Sequence, residues 1–249
     1  MSKPKDAYAK LASLYDLFAA DEAIQACYRE WREALLSAIE ERKLCVRTLV
    51  DLACGTGNST IPWTTARRTW SIVGVDGSPA MLREARRKSL RVRWVHQDLR
   101  ELDLGIRADV VTCHFDALNH LVAPGDLAKA FAGVSRLLDD GGLFAFDMNT
   151  VHWLRWLDGR EKLYRIGPHV MTASNSFDER SGVATFRQLW FVKNGRLYER
   201  RDVEVRERAY ATTELRAMLQ KAGLRLVKST AQSEIDGTPI RMLYLAVKK

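Results

Sequence analysis

With 249 residues, 47% of them hydrophobic and 28% charged, the chain has the composition of a folded protein of one large domain or two small ones. That apolar content excludes a disordered chain, and no uninterrupted apolar run approaches the ~18 residues of a membrane-spanning helix. Lys and Arg outnumber Asp and Glu 39 to 31, and the resulting net charge of +8 permits acidic ligands without requiring them.

The opening MSKPKDAYAK is charged and lacks the apolar stretch of a signal peptide, so the protein is expected to be cytoplasmic. Tyr8, Leu11, Tyr15 and Phe18, then Ile24, Cys27, Trp31, Leu35 and Ala38, recur at helical spacing. They predict two amphipathic helices in the first forty residues, with Asp21 capping the second. From 47 to 147 short apolar strands alternate with helices. Strands are predicted at 48–53, 71–75, 91–96, 109–113 and 143–147. Helices are predicted at 58–69, with Pro62 near its start, after the Ser78-Pro79 cap, and at 125–138 before the stop signal Asp139-Asp140-Gly141-Gly142. Continuous apolar strands of this kind belong to a parallel sheet covered on both faces.

Residues 168–209 break the rhythm. Val183 to Val192 and Leu197 to Val205 flank Asn194-Gly195, a two-residue hairpin signal, and Asp178 to Gly182 marks a preceding turn. A meander of about three strands is therefore predicted as a late insertion. A helix at 212–222, ended by Gly223, and strands at 224–231 and 241–247 complete the chain.

The four cysteines, Cys27, Cys45, Cys54 and Cys113, form no C-x-x-C pair and lie in apolar stretches. Neither a metal site nor a disulfide framework is expected. The densest basic run, Arg83, Arg86, Arg87, Lys88, Arg91 and Arg93, has only Trp94 as a nearby aromatic. RNA-binding modules interleave stacking aromatics. The run reads as the solvated face of a helix entering a strand, and nucleic acid is not the expected partner.

The sharpest motif is Asp51-Leu52-Ala53-Cys54-Gly55-Thr56-Gly57, at the end of one strand and the start of a helix. Glycines there let the backbone approach a ligand that a β-carbon would block. Alone, the motif is equally a tight turn. Asp76 ends the next strand, nineteen residues beyond Gly57, where an acid accepts hydrogen bonds from both hydroxyls of an adenosine ribose. A helix-capping role for it stays open. Asp98, ending the third strand, can take an adenine amino group. A nicotinamide dinucleotide would require Gly-x-Gly-x-x-Gly, and the third glycine is missing: Asn58, Ser59 and Thr60 follow Gly57.

Asp51-x-Ala53-x-Gly55-x-Gly57 with Asp76 and Asp98 resembles the class I S-adenosylmethionine-dependent methyltransferases. Tyr8…Tyr15-Asp16, Tyr28-x-x-Trp31, residues 73–82, 114–121 and 141–147 extend the resemblance across nearly the whole chain. The late insertion resembles the small-molecule N-methyltransferase branch that acts on amino sugars and glycine. Ala53 departs from the glycine usual in the superfamily. The resemblance implies a Rossmann-like α/β fold: a seven-stranded, mostly parallel sheet with its last strand antiparallel, helices on both faces, an N-terminal helical lid and an antiparallel β-meander. One domain is expected, with a lid at 1–42, a cofactor-binding core at 47–147, the insertion at 150–209, and a C-terminal helix and strands at 210–249.

The implied cofactor is S-adenosyl-L-methionine. Ala53 and Gly55 would back its methionine part, Asp76 would hold the ribose with Gly77 and Met81 beside it, and Asp98 and Leu99 would bind adenine. The backbone carbonyl of His114 would take the amino group, and Tyr8 of the lid the carboxylate. His120 is the candidate general base, with a packing role as the open alternative. Tyr15 is expected to pack. Trp153 and Trp156 read either as walls of an acceptor pocket or as packing for the insertion. His152, His169 and Arg241 read as surface residues, with contact to the substrate as the other use of the two histidines and an anionic acceptor as the other use of Arg241. The expected partner is a small-molecule acceptor, methylated at nitrogen, and a homo-oligomer is compatible with the sequence. Two other readings stay open at this point: methylation of RNA or protein, and a non-catalytic adenosine-ligand-binding module.

Overall fold

A computed structural model describes residues 6–249, so the first five residues of the charged opening segment lie outside the described residues. In chain order the elements begin with α1 (Tyr15–Ala19), α2 (Glu22–Glu41), β1 (Thr48–Leu52), α3 (Trp63–Ala66), β2 (Ser71–Asp76), α4 (Pro79–Lys88) and β3 (Arg93–His96). There follow β4 (Ala108–Cys113), α5 (Asp126–Leu137), β5 (Leu138–Asn149) and α6 (Val151–Trp156). The insertion contributes β6 (Glu161–Ile166), β7 (His169–Asp178), β8 (Val183–Asn194) and β9 (Leu197–Arg208), before α7 (Thr212–Lys221), β10 (Leu224–Ile235) and β11 (Thr238–Lys248).

Seven strands form one sheet in the order β10-β11-β5-β4-β1-β2-β3. β1 runs parallel to β2 and β4, with Val50 opposite both Val73 and Val111, while β11 runs antiparallel to β5 and β10. The central strands are apolar throughout because both faces are covered. Phe131 of α5 and Leu215 and Leu219 of α7 pack one face, and Leu35 and Ala38 of α2 with Trp63 pack the other. β6, β7, β8 and β9 form a second, antiparallel sheet.

The chain leaves β1 toward β2 and β3, then returns to β4 on the other side of β1. That reversal opens a crevice at the carboxyl ends of β1 and β4, the place where open α/β sheets bind ligands.

Four local expectations differ from the structure. The predicted first helix is broken into a single turn at Ala7–Lys10 and the five-residue α1. Its apolar residues are pulled two ways: Leu11 and Leu14 pack on the second sheet, whereas Tyr8, Ala12 and Tyr15 pack on Ala80 and Met81 of α4. Of 58–69 only α3 is helical. The Ser59 and Thr60 hydroxyls donate to the Asp51 carboxylate at 2.7 and 2.5 Å, tying the segment to β1, and Pro62 has no N–H to give a helix. The meander has four strands, β6 being the one its many exposed charges concealed. Finally, Asn194 pairs with Leu197, so the β8–β9 turn is centred on Gly195-Arg196, with Gly195 at φ +59°.

Candidate active site

The glycine-bearing loop is set by Asp51. Buried at the end of β1, its carboxylate accepts from the hydroxyls of Thr112 on β4 (2.7 Å), Ser59 and Thr60, so it anchors the loop from below. Ala53, where the resemblance expects glycine, takes φ +51°. A left-handed alanine costs roughly 1–2 kcal/mol that glycine would not. At Gly57 (φ +86°) a β-carbon would lie 2.6 Å from the Trp94 ring, so no side chain fits.

Asp76 closes the loop against β2. Its two carboxylate oxygens accept from the N–H of Gly55 at 2.8 Å and of Ser78 at 2.7 Å. Burial pushes its pKa up. A carboxylate offers about four lone pairs, so two remain for a ligand. Asp98 is gripped by Arg100, whose Nε is 2.8 Å from Oδ1 and whose Nη2 meets Oδ2. That pairing holds Asp98 below the usual carboxylate range.

Beyond β4 the backbone turns sharply. Phe115 and Asp116 are consecutive left-handed residues at φ +58° and +47°. Bulky side chains seldom adopt this conformation, and it persists only where the surroundings enforce it. Here the Asp116 N–H donates to Asp147 at 3.1 Å, and Arg241 bridges both acids, reaching Asp116 at 2.6 Å and contacting Asp147 directly. Burial, the largest single effect, raises the Asp147 carboxyl, but Arg241, His114 and the Asp116 N–H together outweigh it and the net direction is down. The imidazole of His114 lies flat on Trp31, the ring centroids 4.7 Å apart.

His120 ends a single 3-10 turn, Ala117–His120. Its Nδ1 lies 3.1 Å from the Arg206 carbonyl, and its Nε2 lies 2.9 Å from the Tyr8 hydroxyl. A carbonyl only accepts, so Nδ1 carries the hydrogen. In the neutral ring Nε2 then presents a lone pair, to which Tyr8 donates.

These residues converge. Tyr8, Ala53, Gly55, Asp76, Gly77, Met81, Asp98, Leu99, His114 and His120 all line one cavity of about 280 Å³. Tyr15, expected in packing, lines it too. A second cavity of about 260 Å³ adjoins it and shares Tyr8, Tyr15 and Phe115. Its walls are Leu11, Leu14 and Phe18 of the N-terminal segment and Met171, Phe186, Trp190 and Val205 of the second sheet. Asp116, Asn149, Gln188, Glu207 and Arg241 supply its polar groups.

Several residues lie elsewhere than expected. Trp153 and Trp156 stack on each other at 5.4 Å and line neither cavity. Trp153 packs beside Phe177 and Phe186. His169 is buried, its Nδ1 accepting from the Lys193 N–H at 3.0 Å, and His152 is half-buried. Arg241 lies within β11, its side chain only 18% exposed and engaged by two acids, so it is not a surface arginine. Glu207 went unnoticed in the sequence. The alternation Val203, Val205, Glu207 places it on the inward face of β9, and an acid at an inward position was the available signal. Candidate ligand atoms of Asp116, His120 and Glu207 all lie within 4.8 Å of one another, though Arg241 engages Asp116 and Tyr8 engages His120.

Residues 49–142 match the family described as Methyltransferase domain. That match, with the likenesses that follow, supports a class I S-adenosylmethionine-dependent methyltransferase, an enzyme that uses S-adenosylmethionine as methyl donor. It is similar over 98% of its length to the crystal structure of an S-adenosylmethionine-dependent methyltransferase from Clostridium acetobutylicum ATCC 824, with a TM-score of 0.82, 28% identity and 99% of that chain covered. It is 27% identical over 251 residues, 97% of each chain, to YqeM of Bacillus subtilis (strain 168), a protein assigned only provisionally as a methyltransferase. It is also 29% identical over 133 residues to the dTDP-3-amino-3,6-dideoxy-alpha-D-glucopyranose N,N-dimethyltransferase of Streptomyces fradiae, covering 53% of this chain and 51% of that one. Among the described residues no helix is long and apolar enough to cross a membrane.

Proposed function

We propose that this methyltransferase acts in the cytoplasm on the nitrogen of a small-molecule acceptor, as a single domain whose N-terminal segment, described over residues 6–42, closes over the donor. The observation that carries the reading is the pair of adjoining cavities, with Tyr8, Tyr15 and Phe115 as their shared wall and His120 beside it. The partial likeness to an amino-sugar N,N-dimethyltransferase supports nitrogen as the acceptor atom.

The residues fit the donor. Asp76, with two lone pairs still free, would hold the ribose beside Gly77 and Met81. Asp98 and Leu99 would take adenine, Ala53 and Gly55 the methionine part, and the His114 carbonyl its amino group. Tyr8, whose one O–H orients His120 in this structure, would lie beside the donor's carboxylate. When bound, S-adenosylmethionine supplies a methyl group on positively charged sulfur. The chain must then align the acceptor and exclude water, which together can be worth ~7–11 kcal/mol. His120 Nε2 would receive the proton from the acceptor nitrogen as the Tyr8 hydroxyl gives up that lone pair. The nitrogen, its electron pair freed, would then be the nucleophile.

The second cavity would be the acceptor pocket. Met171→Ala and Trp190→Ala should change the order of preference among acceptor amines while S-adenosylhomocysteine affinity stays at the parental value. An unchanged order in both folded variants would remove the second sheet from the acceptor site.

A further inference from the structure

Glu207 has no role in the mechanism above, yet it is a buried acid that makes no ion pair among the described residues. It is 6% exposed. Its hydrogen bond comes from the neutral side-chain amide of Asn149, at 2.8 Å, and among the described residues no cation pairs with it. Burial, with Asp116 next to it, pushes its carboxyl well above the ordinary range. Burying a carboxylate without a cation is costly, and a positively charged ligand offsets that cost.

Among the described residues lining the second cavity, Arg241 is the one Lys or Arg, and its guanidinium is already directed at Asp116 and Asp147. The polar end of the cavity therefore sets two carboxyl groups, Asp116 and Glu207, beside one guanidinium that Asp147 also engages. The geometry also suits a single nitrogen. Three atoms no more than 4.8 Å apart fit within a circle of about 2.8 Å radius, which matches an N–H···O distance. An ammonium at its centre would reach Asp116 and Glu207 with two donors and, where the Tyr8 hydroxyl yields Nε2, His120 with the third. Apart from Asn149, Gln188 and Arg241 the remaining walls are aliphatic and aromatic, and about 260 Å³ is below the ~300–1,000 Å³ of sites for drug-sized ligands.

We propose that Glu207 selects the acceptor by charge, so that the second cavity admits a compact amine as its ammonium and rejects carboxylates. This rests on the reading of the chain as a small-molecule N-methyltransferase.

Three probes of one shape test it by calorimetry on the protein loaded with S-adenosylhomocysteine: cyclohexylamine, cyclohexanol and cyclohexanecarboxylate at pH 7. The expected result is amine binding at least tenfold tighter than alcohol, with no carboxylate binding. Glu207→Gln should lose that tenfold preference and keep parental S-adenosylhomocysteine affinity. Equal binding of amine and alcohol, preferred binding of the carboxylate, or no amine binding would overturn the proposal on the unmodified protein, whether or not the variant folds. A folded Glu207→Gln protein that keeps the preference would overturn the role of Glu207. Methyl transfer to amines is scored separately, so a failure of charge selection is distinguished from a failure of N-methylation.

Discussion

The Tyr8 hydroxyl lies 2.9 Å from Nε2 of His120, joining the N-terminal segment to the loop after β4 across 112 positions of sequence. With Nδ1 held by the Arg206 carbonyl, the ring has one tautomer and one orientation, and its lone pair faces the shared wall of the two cavities. A general base is worth typically ~10²–10⁴-fold in rate. His120→Ala and His120→Asn should therefore lower kcat by about that much and leave S-adenosylhomocysteine affinity nearly parental. Tyr8→Phe removes a hydrogen bond worth ~1 kcal/mol and should cost about fivefold in kcat. In the double variant the Tyr8 effect should vanish, since it acts through the ring. Single-turnover rates beside thermal melts check this. A stable His120→Ala protein with parental kcat at every pH would make the histidine a packing residue.

Asp76 should matter for the donor more than for turnover. Asp76→Asn keeps the shape of the side chain, loses the charge that strengthens ribose hydrogen bonds, and can accept from only one of the Gly55 and Ser78 N–H groups. Titration calorimetry should show S-adenosylmethionine bound more weakly by about 1.5–3 kcal/mol. NAD should bind neither protein. Equal affinity of variant and parent for S-adenosylmethionine would contradict the ribose assignment.

Glu207 and Asp147 give stability opposite dependences on pH. The Glu207 carboxyl is raised in the fold by burial and by Asp116. Its contribution is fully present below the unfolded value of about 4.3 and is lost as pH rises through the folded one. Asp147 is lowered on balance, so its contribution is present above about 3.9 and is lost as pH falls through its folded value. Glu207→Gln cannot ionise at that position. Its melting temperature relative to the parent should climb between pH 5 and pH 8. A difference constant across that range would show that Glu207 is not the group titrating.

The parts of the molecule legible in its sequence are those whose signals are local. β1, β2 and β4 show as apolar runs because both faces of the sheet are covered, and Asp76 follows directly on such a run. Asp98 and the Ala53–Gly55 turn are fixed by the same strand ends. Arg241 was not legible, because a charged residue on a strand reads as exposed until its partners are known. Those partners, Asp116 and Asp147, lie 125 and 94 positions away. The N-terminal helix failed for a related reason. Leu11 and Leu14 are drawn to one sheet and Tyr8 and Tyr15 to α4, and no single helical stripe serves both. The Gly195 turn slipped by one residue because Asn194 could join the ladder as readily as begin the loop.

The most direct test of the central claim is the fate of the methyl group. Purified protein is given S-adenosylmethionine labelled at the methyl carbon together with a panel of small amines, phenols and carboxylates, and with RNA and protein in parallel. Mass spectrometry then locates the label. The account predicts label on nitrogen of a small amine, with one S-adenosylhomocysteine formed per methyl transferred. Label on oxygen or carbon of a small molecule, or transfer confined to RNA or protein, would contradict it.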